Sequence, residues 1–263
     1  MSSPENFALK DLIASESLQL YSRAADLDSA FDQIVPRDSR DSIQAPLLVG
    51  IDGSVTAGKS FTAKGLFDYL SRRGVACVLI HGDWFMSPRE QRKLEIEKAT
   101  QGSYEIADYD AAACNFDKLE DVQREVQEFL RGKSGSANIV VPNAYNRTTG
   151  ECDKEISITL PERPVVIFEG TGVLGPVLHK AFDLTIRVDV DSYEEAIKRL
   201  GKRELEKALP QRLNPTFVKS RYDLIDYPYD QYLRFRDRKN FDILLDTSNL
   251  DSIKIYKQPN HCK

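Results

Sequence analysis

The stretch Gly53-Ser54-Val55-Thr56-Ala57-Gly58-Lys59-Ser60 (GSVTAGKS) has the spacing glycine, four residues, glycine, lysine, serine. An apolar run, Leu47-Leu48-Val49-Gly50-Ile51, leads into it, and a helix-compatible run from Phe61 to Leu70 leads out. Strand, glycine-rich turn and helix, in that order, form the setting in which this pattern cradles phosphates. Gly53 and Gly58 let the backbone curl so that successive N–H groups point inward. The new helix adds its free N–H groups and the positive end of its dipole. Lys59 then reaches the β- and γ-phosphates, and the Ser60 hydroxyl ligates Mg²⁺. The bland alternative is a glycine turn that matches by chance. The context favours a nucleoside triphosphate site made of Gly53, Ser54, Val55, Thr56, Ala57, Gly58, Lys59, Ser60 and Thr62.

Beyond the loop the chain alternates apolar runs with helical spacing, which predicts a mostly parallel sheet with helices on both faces. Strands are expected at 47–51, 75–80, 138–141 (broken by Pro142), 165–168, 184–190 and a last one at 242–245, with 156–160 as a hairpin arm. Helices are expected at 59–73, 88–101, 116–131 and 193–209, and through most of 214–239. Residues 1–45 carry helical spacing at Leu9, Leu12, Ile13, Leu18, Leu20 and Tyr21 and then a polar stretch. They read as a helical extension and linker ahead of a domain at 46–263.

In open parallel sheets ligands sit at the carboxyl ends of the strands, so the residues standing there are the informative ones. Asp83 follows the second strand and Glu169 closes the 165–168 strand. Phosphoryl transfer needs positioning, Mg²⁺ and an acceptor for the proton of the attacking hydroxyl, and two carboxylates with Lys59 supply those parts. A helix-capping role is the competing reading for Asp83. For Glu169 that kind of reading is weaker, because a charge closing a buried apolar strand is costly unless it has a task.

Composition narrows the class. With 36 Lys and Arg against 41 Asp and Glu, the net charge of −5 argues against a nucleic-acid partner. No apolar run reaches the ~18 residues of a membrane span, and the start MSSPENFALKDL has no signal-peptide pattern. Cys77, Cys114, Cys152 and Cys262 lie far apart without metal-ligand spacing, as expected of reduced thiols in a cytoplasmic protein. A homo-oligomer is compatible with all of this.

With these residues in hand, the chain resembles the uridine kinase and phosphoribulokinase group of P-loop kinases over about residues 46–247. The landmarks, in order, are GSVTAGKS, HGDWFM, the segment Tyr109-Asp110 to Phe116-Asp117, IVVPNAYNR, VVIFEG, RVDVDSYEEAIKRLGKRE and FDILLD. The resemblance implies a doubly wound α/β kinase core of the P-loop NTPase fold that moves the γ-phosphate of ATP to a hydroxyl of a nucleoside-like small molecule. It implies Asp83 as general base, Lys59 as charge stabiliser, and Ser60 with Glu169 around Mg²⁺. Glu169, Tyr109, Asp110, Tyr145 and Arg147 would lie beside the acceptor. The cluster Lys198, Arg199, Lys202 and Arg203 falls where the family carries a lid, and Arg199 is the chosen catalytic arginine; a solvated helix face is the alternative.

The acceptor half departs from the family pattern. Where uridine kinases have a tyrosine-aspartate pair and then a histidine, this chain reads Pro142-Asn143-Ala144-Tyr145-Asn146-Arg147. Arg147 offers a planar five-donor group suited to carbonyls or an anion. A nucleotide, a sugar or a pantothenate-like acid are therefore alternative acceptors, with Arg89 and Arg92 available to a phosphate. A non-catalytic nucleotide switch is the competing class; the asparagine-lysine-x-aspartate guanine reader of GTPases does not occur in the chain.

Overall fold

A computed structural model describes residues 18–35, 47–101, 109, 112–132, 135–206 and 213–258. The described chain begins with β1 (Gln19–Ala24) and α1 (Leu27–Ile34). The phosphate-loop unit follows as β2 (Leu47–Gly53) and α2 (Lys59–Ser71), and then come β3 (Cys77–His81), α3 (Arg89–Thr100) and α4 (Phe116–Gly132). A hairpin of β4 (Ala137–Ala144) and β5 (Lys154–Leu160) precedes β6 (Val165–Glu169), β7 (Leu184–Asp189) and α5 (Tyr193–Leu205). The remainder is α6 (Pro215–Arg221), a π-turn at Tyr222–Asp226, α7 (Tyr227–Arg236), β8 (Ile243–Asp246) and β9 (Ile253–Lys257).

Seven strands form one sheet in the order β1-β9-β8-β7-β2-β6-β3, and β4 pairs with β5 alone. The five strands from β8 to β3 are mutually parallel, while β9 runs antiparallel to both of its neighbours. Alternation along the strands fills two cores. Leu48, Val166, Phe168 and Leu244 belong to one, and Val49, Ile51, Val165, Ile167, Ile243 and Leu245 to the other. Leu119, Val122, Val126 and Phe129, spaced for one helix face, bring α4 onto the first. Ala63, Leu66, Tyr69 and Leu70 bring α2 onto the second. Burying each such large side chain is worth roughly 1.5–3 kcal/mol, so the two layers fix the sheet between them. The expected doubly wound α/β sheet is thus observed.

Three local expectations are corrected. Leu20 and Tyr21 are extended, not helical: they lie in β1, which hydrogen-bonds to β9 at the sheet edge, and of the described extension only Leu27–Ile34 is helical. The expected helical residues Leu9, Leu12 and Ile13 lie outside the described residues. Pro142 does not break its strand, because the register shifts between Val141 and Ala144 and the missing N–H falls in that irregularity. The strand at 242–245 is followed by another, β9, whose Ile253, Ile255 and Tyr256 are buried. The expected helix at 193–209 is seen to Leu205; residues 207–212 lie outside the described set.

The parallel strands end together at Gly53, His81, Glu169, Asp189 and Asp246, and the loop from Gly53 to Ser60 rises from the middle one. A Cβ on Gly53 would lie 2.1 Å from the Val188 carbonyl oxygen. Gly53→Ala must push β2 from β7 and is expected to cost about 3 kcal/mol, at the upper end for overpacking, read as a lowered urea midpoint. An unchanged midpoint would show that the loop does not need this contact.

Candidate active site

The loop closes through backbone torsions open to few residues, with Thr56 at φ 71° and Gly58 at φ 94°. Gly58 stands at the N-cap of α2 and no side chain caps that helix. Its first N–H groups are therefore left to a ligand, the arrangement that binds phosphate. By contrast, α5 is capped by Ser192, which accepts from Glu195 N at 3.1 Å.

Beneath the loop lies a buried ionic cluster. Asp52 accepts from Gly53 N (2.6 Å), Gly172 N (3.1 Å) and Leu174 N (3.1 Å). Asp189, fully buried, accepts from the Ser54 hydroxyl, from Arg187 Nε at 3.0 Å and from Arg234 Nη2 at 3.2 Å. Burial alone would raise the Asp189 carboxyl, but Arg187 and Arg234 outweigh it and hold the group below the usual carboxylate range. One turn before Arg234 on α7, Asp230 accepts from Val55 N at 3.2 Å. The second half of the loop is tied as well: Thr247 donates to the Ala57 carbonyl at 2.8 Å, and Thr56 donates to the Ala196 carbonyl at 3.3 Å.

On the open side, Ser60 donates to Glu169 Oε2 at 3.1 Å, and His81 Nδ1 lies 2.7 Å from Glu169 Oε1. Burial pushes the Glu169 carboxyl up, while the His81 hydrogen bond, the Lys59 charge and the Ser60 hydroxyl hold it below its ordinary value. An ionised carboxylate next to a hydroxyl fits Mg²⁺, which takes one or two protein oxygens and fills its shell with phosphate and water. His81, two residues before Asp83 in the chain, thus bonds Glu169.

Asp83 opens the short turn Gly82–Phe85 after β3, and its Oδ2 is paired with Arg147 from the hairpin. Phe85 is core, 1% exposed, and Trp84 packs edge-on against His81 with ring centroids 5.3 Å apart. Tyr109 is buried against Tyr229 (5.2 Å between centroids), and Tyr145 is buried beneath the Arg92 guanidinium, 4.8 Å from its ring centroid. Thr62 is buried in α2, and Asp110 lies outside the described residues. Arg199 donates to Glu195 Oε1 (3.0 Å) and to the Thr247 carbonyl (2.5 Å). Arg203 is the member of that cluster whose charge is felt in the site, at Arg147 and at buried Asp226, where Lys59 is felt too. The structure therefore gathers Lys59, Ser60, Asp83, Arg147 and Glu169 at one edge and leaves Thr62, Tyr109, Tyr145 and Arg199 in packing or scaffold contacts.

Sequence reading missed Asp189, Asp230, Arg234 and Thr247. Asp189 and Thr247 stand at or just past strand ends, where the same question that found Glu169 would have found them. Asp230 and Arg234 look in sequence like an exposed i,i+4 pair, and only tertiary contact shows otherwise.

Residues 48–207 match the model of the family described as Phosphoribulokinase / Uridine kinase. The chain belongs to the phosphoribulokinase and uridine kinase family. It is similar to a pantothenate kinase of Vibrio cholerae (28% identity over 208 residues, 69% of this chain and 60% of that one). It is also similar to a pantothenate kinase of Mesorhizobium japonicum (29% over 165 residues, 57% and 47%) and to a uridine kinase of Clostridium botulinum (25% over 165 residues, 60% and 69%). The chain thus spans 60% and 47% of the two pantothenate kinases. Among solved structures, the YGR205w protein superposes with a TM-score of 0.54 at 14% identity, covering 89% of this chain and 99% of that one. For YFH7 of Saccharomyces cerevisiae the values are 0.53, 13%, 81% and 95%. These two show the shared fold. Among the described residues no helix is long and apolar enough to cross a membrane.

Burial raises the Asp230 carboxyl to about 7, against the pull of Arg234. Its folded value lies above its unfolded one, so its contribution is full below the unfolded value of 3.8 and is lost as pH rises through about 7. Asp230→Asn removes this titration and keeps an acceptor for Val55 N. Urea midpoints of the variant should gain on the wild type between about pH 4 and pH 7 and hold level above that; a difference that stays constant across this range would contradict the assignment.

Proposed function

We propose that the protein is an ATP- and Mg²⁺-dependent kinase that phosphorylates a hydroxyl of a small molecule, with Asp83 as the general base. The observation that carries this reading is the Ser60–Glu169 pair at the mouth of an uncapped phosphate loop, with Asp83 at the neighbouring strand end. Family membership supports the same reaction class, and the relatives' names bring nucleoside-like and pantothenate-like alcohols into range as acceptors.

In this reading the loop N–H groups and Lys59 hold the triphosphate, and Ser60 and Glu169 hold Mg²⁺, which when bound offsets charge on the phosphate oxygens. Asp83 accepts the proton as the acceptor oxygen bonds to the γ-phosphorus. The bond from that phosphorus to the β,γ-bridging oxygen breaks, and ADP leaves with the electron pair. Arg203, free of the scaffold contacts that occupy Arg199, is the arginine we assign to the charge that develops.

Loss of a positioned general base typically costs about 10²–10⁴ in rate. Asp83→Asn should therefore lower acceptor-stimulated ADP release by about that factor and leave ATP affinity within about threefold, since the residue touches no loop amide. A variant that turns over at the wild-type rate would remove Asp83 from the mechanism.

A further inference from the structure

Around Asp83 the hairpin presents one free kind of chemistry. Tyr145, expected to meet the acceptor, is 7% exposed beneath Arg92. Asn146 is consumed by its own turn: its Oδ1 accepts from Thr148 N at 3.0 Å, and its side chain also bonds Asp153. Tyr109 is buried and bonded to Arg221. What remains is the Arg147 guanidinium, whose side chain is 66% exposed and paired with Asp83, itself 40% exposed.

Arg147 is not there by chance of a loose loop. Its carbonyl accepts from Arg89 Nη2 at 2.7 Å, the Gly150 carbonyl accepts from Arg89 N at 2.7 Å, and Tyr145 N donates to the Trp84 carbonyl at 2.8 Å. The hairpin tip is thus pinned to the segment that carries Asp83. One Asp83 oxygen is turned to the guanidinium instead of to an acceptor hydroxyl, so the pair as it stands competes with the acceptor for the general base. Ion pairs this exposed are weak, and a planar fork prefers a bidentate anion. Burial and the Arg203 charge disfavour the charged form of Arg147, with Glu169 opposing them, so a further anion beside Arg147 is favoured.

We propose that the acceptor carries an anionic group, a carboxylate or a phosphate ester, and that this group takes Arg147 and so releases Asp83 to accept the hydroxyl proton. The inference rests on the kinase reading above. Arg147 thereby selects the acceptor and gates the base, so an alcohol without the anion meets Asp83 still latched.

The test uses the full chain, γ-labelled ATP with Mg²⁺, and a small-molecule extract of its source cells split by anion exchange into retained and unretained fractions. Label should pass to an organic compound in the retained fraction. Prior phosphatase treatment of that fraction abolishes the transfer if the anion is a phosphate ester and leaves it if it is a carboxylate. Arg147→Gln should raise the amount of retained fraction needed for half-maximal rate by about tenfold or more, the usual scale for a lost hydrogen bond to a charged group, with partial recovery in Arg147→Lys. Transfer only to the unretained, neutral fraction, or half-saturation unmoved by Arg147→Gln, overturns the proposal and leaves the kinase standing. Transfer to neither fraction overturns the kinase reading, and this inference with it.

Discussion

A carboxylate buried at the end of the central sheet, Asp189, sets the terms for everything near it. Leaving such a charge unpaired costs several kcal/mol, so the chain must bring cations and hydroxyls to it. Arg187 comes from its own strand, Ser54 from the phosphate loop, and Arg234 from a helix 45 residues further along the chain. Each partner is thereby fixed relative to the others. The loop cannot move without disturbing the charge beneath it, and α7 cannot leave without stranding both Asp189 and the Val55 amide held by Asp230. The C-terminal third of the chain is in this sense part of the phosphate site, although it holds no recognisable phosphate motif.

The same dependence explains what could be read in advance. The unit from β2 to α2 was legible because its signals are local: an apolar run, fixed glycine spacing and helix-compatible residues. Asp83 and Glu169 were legible because parallel sheets expose their strand ends, and Glu169 does pair with Ser60. Edge strand β1 was not. Its sequence, QLYSRA, lacks alternation, and its partner β9 lies more than two hundred residues away. The alternating IKIYK of β9 did carry a signal, and its short length hid it. Tyr145 and Tyr109 were placed beside the acceptor by the family resemblance, while burial under Arg92 and against Tyr229 depends on tertiary packing that no local pattern records. Arg199 and Arg203 share a helix and a charge, and what separates them is the reach of Thr247 from the end of β8 to Arg199.

The two halves of the site are built by different rules. The phosphate-loop half is backbone-heavy and buried on its underside, so its geometry is preset. On the acceptor side an exposed ion pair joins Arg147 of the hairpin tip to Asp83, and under the proposal made above the specificity of that side rests on this guanidinium. Under that proposal the acceptor side can change without rebuilding the phosphate loop and the buried charges beneath it.

In the proposed reading the phosphate loop holds a triphosphate, and Ser60 with Glu169 complete the site around Mg²⁺. Equilibrium binding of ATP to the intact protein, with Mg²⁺ and with Mg²⁺ chelated, tests this directly in the wild type and in Ser60→Ala. Saturable binding is expected, weakening by about tenfold or more when either the ion or the hydroxyl is removed, the scale seen when a metal site loses a supporting group. Absence of ATP binding, or binding indifferent to both the ion and Ser60, would contradict it.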